Sequence, residues 1–151
     1  ILGGNEMILQ NERIDVCNDC DFSYSNISGT NFNGVSAIDS DFSEITVSNC
    51  NMISAHFDNV MLEDASILDA NMAGTSITDV SMTSTRFCNG DIKKGKFESV
   101  DMSATTFTGC DLSKTVLENC NLEGLSISSC QISGMTIDGI PLTTLLEKYY
   151  K

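Results

Sequence analysis

Apolar residues recur at every fifth position of this chain without interruption. From Phe22 to Ile137 this register contains 24 positions, and each is occupied by Phe, Ile, Leu, Met, Val or Ala. In a chain that is 41% hydrophobic, chance would give such a run roughly once in a billion. A period of five fits neither the 3.6-residue helix nor the two-residue strand, so the pattern predicts a repeat architecture.

The remaining positions of each five-residue unit are equally regular. The residue two before the apolar centre is mostly small or β-branched, and the residue just before the centre is usually polar, most often Asp or Asn. The two residues after the centre are mostly polar or Gly, as in CNMIS, ANMAG, CDLSK and CNLEG. Each unit therefore has two inward positions and three outward ones, and its Asp or Asn suits a turn.

These phrases resemble the A(D/N)LXX consensus of the pentapeptide repeat family over residues 20–140. The resemblance implies an all-β fold, the right-handed quadrilateral β-helix, with four pentads per coil. Twenty-four pentads then make about six coils, and at ~4.8 Å per coil the rod is ~29 Å long. Stacked repeats bury a continuous core that no single repeat can form.

Both ends of such a rod need covers, because an open solenoid exposes core and strand edges. We expect residues 1–19 to form an N-terminal cap, and residues 141–151, which follow the break at Gly139 and Pro141, to form a C-terminal capping helix. The helix has apolar spacing i, i+3, i+4, i+7, i+8. Related proteins often dimerise through this element, so its apolar residues are candidates for a cap or a homodimer contact. They are Leu142, Leu145, Leu146, Tyr149 and Tyr150.

Charge is the main functional signal, with 21 acidic and 8 basic residues and a net charge of −13. We define face one as the pentads beginning at 21, 41, 61, 81, 101 and 121, with faces two, three and four following in order. Faces four and one then hold 13 acids and one base, Lys96, whereas faces two and three hold three acids and four bases. The 13 acids form a candidate interaction surface, here called the acidic side. They are Asp21, Asp39, Asp41, Glu44, Asp58, Glu63, Asp64, Asp79, Glu98, Asp101, Glu118, Glu123 and Asp138.

The acidic side has three interpretations. It keeps the rod soluble by repulsion, or it binds a basic partner protein, or it mimics DNA. Some pentapeptide repeat proteins bind DNA gyrase in this last way, so gyrase is a candidate partner. The four bases of the opposite side, Arg86, Lys93, Lys94 and Lys114, are too few to favour direct nucleic-acid binding.

Candidate chemistry is sparse. Cys17 and Cys20 form a C-x-x-C pair, which opens a redox or metal alternative, but no second pair or His lies near in sequence. Cys110 and Cys130 are expected to stack in neighbouring coils as thiols. His56 has no nucleophile beside it to form a triad. The expectation is a non-enzymatic interaction protein without a cofactor or a membrane contact. Because no targeting segment is evident in the sequence, the cytoplasm is the expected location.

Overall fold

The computed structural model describes residues 8–10 and 16–150, which form fifteen short strands and one helix. The elements are β1 Ile8–Gln10, β2 Val16–Asn18, β3 Asn26–Ser28, β4 Ser36–Ile38, β5 Thr46–Ser48, β6 His56–Asp58, β7 Ser66–Leu68, β8 Ser76–Thr78, β9 Arg86–Cys88, β10 Lys96–Glu98, β11 Thr106–Thr108, β12 Val116–Glu118, β13 Ser126–Ser128, β14 Thr136–Ile137, β15 Ile140–Pro141 and α1 Leu142–Tyr149.

The strands stack into two parallel sheets on opposite sides of a solenoid. The odd-numbered strands β1 to β13 form a seven-stranded sheet on face two. The even-numbered strands β2 to β14 form the sheet on face four, and β15 joins it antiparallel to β14. From β2 and β3 onward, each parallel strand pairs with the strand 20 residues later, as in Phe97↔Leu117.

Isolated parallel bridges with the same 20-residue spacing connect the coils on the other two faces. Asp21↔Asp41 is such a bridge on face one, and Asn31↔Asn51 is one on face three. The four-sided β-solenoid of about six coils predicted from the sequence is therefore confirmed.

The core is built from the two inward positions of every pentad. Along each middle strand the central residue is buried and its two neighbours are partly exposed, as the alternation of a strand requires. Identical positions of successive coils stack directly, so Phe87 lies on Phe107 with ring centroids 4.7 Å apart. Inward hydroxyls bond to the coil before, and Thr115 Oγ1 donates to the carbonyl oxygen of Ile92 over 3.0 Å. No buried side-chain N or O atom lacks a hydrogen bond within residues 8–10 and 16–150.

On faces one and three, nine of the twelve centres are preceded by an Asp or Asn that holds the turn. The backbone N–H two residues later donates to its side chain, as Ser103 N does to Asp101 Oδ1 over 3.0 Å. The turn closes when Thr105 N donates to the carbonyl oxygen of Met102 over 3.0 Å, with Ala104 at φ 55° between them. A positive φ at that position is the signature of a type II turn. These hydrogen bonds explain why Asp and Asn suit the turn, as the sequence predicts.

The first strands lie inside the segment predicted to be the N-terminal cap. β1 pairs in parallel with β3, and β2 with β4, so the coil stacking reaches back beyond residue 20. Cys17 stacks on Ala37 as an inward central residue and is 2% exposed. The register Leu9↔Ile27 shows that this first turn of chain is two residues shorter than the later coils. The other residues of the predicted cap lie outside the described part of the chain.

The C-terminal helix forms where the sequence predicts it. Gly139, at φ 78°, turns the chain back so that β15 pairs with β14, and α1 begins at Leu142 directly after Pro141. Leu142 is half-buried against the core, but no residue of α1 is fully buried. The helix therefore lies over the last coil without closing it. Within the described residues, no helix is long and apolar enough to cross a membrane.

Candidate functional site

The structure places all 13 residues of the acidic side at outward positions of faces four and one. None of them is buried; each is exposed or half-exposed. On face four an acid occurs in six consecutive coils, at one of two adjacent outward positions. These six acids are Asp39, Asp58, Asp79, Glu98, Glu118 and Asp138. Strand pairing puts Glu98 directly beside Glu118 in the β10–β12 register, so like charges face each other there.

Some of these acids accept hydrogen bonds from other residues of the chain. Asp41 Oδ1 accepts from the backbone N–H of Ser43 over 2.8 Å and also from its hydroxyl, and Asp101 does the same with Ser103. The bonds from the Ser103 hydroxyl and backbone hold the pKa of Asp101 below its ordinary value. Asp138 Oδ1 accepts from the backbone N–H of Asn119 over 2.8 Å. These carboxylates hold turns and join coils as well as carrying charge.

Other acids of the same side point only to solvent. The carboxylates of Asp58, Asp64 and Asp79 make no hydrogen bond or ion pair with any other residue of the described chain. Asp64 and Asp79 lie at corners with φ 55° and 53°. These side chains are the part of the acidic side that is available to a partner, a distinction that sequence reasoning missed.

Lys96, the base on face four, is neutralised locally. Its Nζ lies 3.1 Å from Glu98 Oε2, and the hydrogen bond and charge of Glu98, with the charge of Glu118, raise the Lys96 pKa. On face three, Lys93 pairs in the same way with Asp91 over 3.0 Å. Lys94 and Lys114 extend from equivalent corners of adjacent coils, at φ 60° and 59°. Faces four and one thus carry one base beside 13 acids, whereas faces two and three carry four bases beside three acids.

Two large apolar side chains are exposed within the acidic side. Tyr24 is 59% exposed and its hydroxyl bonds Glu44, whose charge and hydrogen bond raise the Tyr24 pKa. Met61 is 46% exposed and stands between Asp41 and Ser81 in the bridge ladder of face one. Tyr24 is not evident from the sequence, because it occupies a corner position that otherwise holds small or polar residues.

The C-x-x-C pair has a structural position. Cys17 is in the core and Cys20 is half-buried at the next corner, with Cys17 Sγ 3.8 Å from Ser40 Oγ. Burial, with a further contribution from Cys20, raises the pKa of the Cys17 thiol to about 12. Such a thiol is a poor nucleophile, because the thiolate is the reactive form. Among the described residues, no group of three or more His, Cys, Asp or Glu side chains is arranged to hold a metal ion.

The other candidate residues, which are the remaining cysteines and His56, also have defined positions in the fold. All seven cysteines are free thiols. Cys110 and Cys130 occupy neighbouring coils as expected, and the backbone N–H of Cys110 donates to Cys130 Sγ over 3.3 Å. His56 lies on β6, half-exposed, with Ser36 and Ser76 as its strand neighbours. Nothing nucleophilic beyond these two hydroxyls stands next to it in the sheet.

The stacked five-residue units, four to a coil, define the class of repeat solenoid to which the protein belongs. The chain is a member of the pentapeptide repeat family, since the family model for pentapeptide repeats matches eight copies over residues 16–52, 40–79 and 96–134. No curated protein matches the chain in sequence.

Several solved structures have a backbone trace similar to that of this chain. A trypsin-treated form of QnrB1, a plasmid-mediated fluoroquinolone resistance protein, is 14% identical with a TM-score of 0.45, and the match covers 99% of each chain. HetL, a pentapeptide repeat protein involved in heterocyst differentiation regulation from Nostoc sp. strain PCC 7120, is 12% identical with a TM-score of 0.38 over 88% of each chain. A pentapeptide repeat protein from the Arabidopsis thaliana thylakoid lumen is 21% identical with a TM-score of 0.36, covering 87% of this chain and 74% of the other.

Proposed function

We propose that this protein is a non-enzymatic interaction solenoid whose acidic side binds a basic partner protein. The observation that carries the proposal is the line of acids on face four, one in each of six consecutive coils. Repulsion for solubility alone does not call for such a line, because like charges directly opposite each other in a sheet, as Glu98 and Glu118 are here, are destabilising. Concentrating the acids on one side therefore lowers the stability of the fold. A role in binding a basic partner accounts for an arrangement that folding alone disfavours.

The chemistry of the acidic side suits a protein surface. The solvent-facing carboxylates of Asp58, Asp64 and Asp79 speed encounter with a basic partner and fix its orientation. Tyr24 and Met61, exposed among these acids, offer the aromatic and thioether groups that are enriched in protein interfaces. The partner is then a protein with Lys or Arg side chains around a small apolar patch.

The experiment compares two aspartates that differ only in the side on which they stand. Asp64 and Asp69 are both exposed, at φ 55° and 53°, but Asp69 is on face two. Lysine is compatible with such corners, since Lys94 and Lys114 already occupy them. Asp64→Lys and Asp69→Lys change the net charge equally, so any difference between them reports on the surface and not on overall charge.

The measurement is affinity capture with the wild-type chain and both variants, followed by titration of the purified partner. We expect Asp64→Lys, and more so Glu44→Lys/Asp64→Lys, to weaken capture at least tenfold, with Asp69→Lys close to wild type. Equal capture by both single variants would show that the acidic side is not the binding surface.

A second candidate partner is DNA gyrase or another topoisomerase, with the rod acting as a DNA mimic. Thirteen acids over ~29 Å give one charge per ~2.2 Å, compared with one per ~1.7 Å of duplex DNA. Gyrase supercoiling, titrated with this chain with and without a fluoroquinolone, tests this candidate. Inhibition or protection that disappears in Glu44→Lys/Asp64→Lys supports the mimic, whereas an unchanged supercoiling rate up to tens of micromolar rejects it.

A further inference from the structure

Two cysteines occupy the same inward column in adjacent coils. Cys110 and Cys130 are held in register by the Asp111↔Gln131 bridge, in which Gln131 N donates to the carbonyl oxygen of Cys110 over 2.9 Å. Adjacent strands of a sheet are ~4.8 Å apart, and disulfide-bonded cysteines have Cα atoms about 4.4–6.8 Å apart. Of the seven cysteines, these are the two that stack in neighbouring coils. The backbone therefore places them at the spacing of a disulfide.

The thiol of Cys130 is directed toward the coil that carries Cys110. The backbone N–H of Cys110 donates to Cys130 Sγ over 3.3 Å, and the Cys130 thiol donates to the carbonyl oxygen of Phe107 over 3.5 Å. The Cys110 thiol donates one coil further back, to the carbonyl oxygen of Phe87 over 3.6 Å. A rotation about the Cα–Cβ bond of Cys110 turns its sulfur toward Cys130.

The two thiols differ in their access to solvent. Cys110 is 2% exposed, whereas Cys130 is half-exposed at the corner between faces two and three. Burial raises the pKa of the Cys110 thiol to about 11. A reagent in solution therefore reaches the sulfur of Cys130 first, and Cys110 reacts from within the protein.

The coil that carries Cys130 is held less firmly than the coil before it. Met102 and Phe107 are 0% and 2% exposed, but Leu122 and Ile127, one coil later in the same columns, are only half-buried. β13 has no strand partner on its outer edge within the described residues. Segments with few buried contacts open most easily, so a covalent bond to the preceding coil would act on the part of the rod that most needs it.

We propose that Cys110 and Cys130 form a modification site for a low-molecular-weight disulfide, which oxidises the pair and fastens the last coil to the one before it. First, the Cys130 thiolate attacks one sulfur of the small disulfide, forming a mixed disulfide and releasing one small thiol. The Cys110 thiolate then attacks Cys130 Sγ, and the second small thiol leaves. The two cysteine sulfurs are oxidised, the small disulfide is reduced to two thiols, and the two cysteine protons end on those thiols.

Cys120 is a matched thiol without a cysteine neighbour. It is half-exposed at the equivalent inward position, and its thiol donates to the carbonyl oxygen of Phe97 over 3.5 Å, as the Cys130 thiol does to that of Phe107. One coil back in its column stands Val100. The reaction at Cys120 should therefore stop at the mixed disulfide.

The experiment treats the reduced whole chain with bis(2-hydroxyethyl) disulfide, which is uncharged and so is not repelled by the acidic side. Samples are quenched with acid and mapped by mass spectrometry with peptide fragmentation. We expect the adduct on Cys130 to give way to a Cys110–Cys130 cross-link that lacks two hydrogens, while the adduct on Cys120 persists. Conversion should quicken about tenfold per pH unit from pH 7 to 9, because it needs the Cys110 thiolate. A lasting adduct on Cys130 would overturn the proposal.

Variants separate the cross-link from the reactivity of each thiol. In Cys110→Ser the adduct on Cys130 should persist, whereas Cys120→Ser should cross-link like wild type. Serine suits the small inward position, since Ser25 and Ser40 already occupy it. Cross-linking of Cys130 to another cysteine in Cys110→Ser at the wild-type rate would show that the column does not select the partner.

Hydrogen exchange tests whether the bond fastens the last coil. Amides of β13 should exchange at least tenfold more slowly in the oxidised chain than in the reduced one, those of β7 should be unchanged, and dithiothreitol should restore the faster exchange. Cys110→Ser treated in the same way is the control for effects of the adducts alone. Equal exchange of β13 in the oxidised and reduced wild-type chains would refute the fastening.

Discussion

A Cβ atom added to Gly95 would lie 2.9 Å from the carbonyl oxygen of Ile92, closer than such atoms approach in proteins. The inward position of Gly95 is otherwise filled by Val35, Ala55, Thr75, Thr115 and Met135 in its column. Gly95 N closes the turn by donating to Ile92 O over 3.0 Å, as Thr75 N does to Met72 O over 3.1 Å one coil earlier. The missing side chain leaves room for the neighbouring Phe97 ring, so local packing depends on this glycine.

The first prediction is that Gly95→Ala destabilises the fold by ~1–3 kcal/mol, the usual cost of overpacking a core. The matched control is Gly34→Ala, because a Cβ at Gly34 meets no atom within 4 Å. We expect the control, which bears only the cost of its φ of +68°, to lose less. Urea unfolding followed by circular dichroism measures both, and equal losses would mean that the close contact is relaxed easily.

The second prediction concerns the corners. Ala104 has φ 55°, a left-handed conformation that costs an L-residue ~1–2 kcal/mol and costs glycine nothing, although glycine gives back ~0.5–1 kcal/mol through unfolded-state entropy. Ala104→Gly should therefore raise the free energy of unfolding by up to ~1 kcal/mol. Ala73, at an outward position without positive φ, is the control, and Ala73→Gly should lower stability. Thermal denaturation of the Ala104→Gly and Ala73→Gly variants measures both effects. A fall in both melting temperatures would contradict the strain argument.

The fold could be predicted from the sequence because each position of the pentad has one physical role. The five-residue rhythm predicts the coil, Asp or Asn before the centre predicts the turn, and the spacing from Leu142 predicts the helix. The position of Cys17 was harder to foresee. It lies in the same five-residue register as Phe22, but five of the other six cysteines, all except Cys88, fill the small inward position, so the pattern favours a rhythm that begins at Phe22.

The candidate surfaces were predicted less completely. Counting the sequence in units of five residues, four units to a coil, places each acid on its face. This count does not reveal that Asp41 and Asp101 hold turns while Asp64 faces only solvent. The amphipathic pattern of α1 likewise indicates an apolar side but not what covers it, and the structure leaves that side half-exposed. Side-chain hydrogen bonds and burial depend on distances between coils, which a linear pattern does not contain.

The third prediction is that the thiols differ in reactivity by position. Cys17, Cys50 and Cys110 are buried, and burial raises the pKa of Cys17 to about 12 and that of Cys110 to about 11. At pH 8 they should resist N-ethylmaleimide for hours in the native chain, while the half-exposed Cys20, Cys88, Cys120 and Cys130 react first. Peptide mass spectrometry of labelled samples assigns each site, with labelling in 6 M guanidinium as the control for full reactivity. Rapid native labelling of Cys17 would revive a redox role for the C-x-x-C pair.

The fourth prediction concerns pH. The Ser103 and Ser113 hydroxyls and backbone N–H groups lower the pKa of Asp101 and Asp111 below the ordinary value of 3.8. Because the folded pKa is the lower one, these carboxylates stabilise the fold above pH ~4, and that contribution is lost as pH falls through the folded pKa.

Ser103→Ala and Ser113→Ala should raise the pKa of the adjacent Asp, as measured by carboxyl ¹³C NMR titration, and should reduce stability at pH 7 more than at pH 2.5. Ser133→Ala is the matched control, because Ser133 stands at the same pentad position two residues after Gln131, whose side chain does not titrate. A pKa of Asp101 that is unchanged in Ser103→Ala would mean that the backbone N–H alone holds the turn.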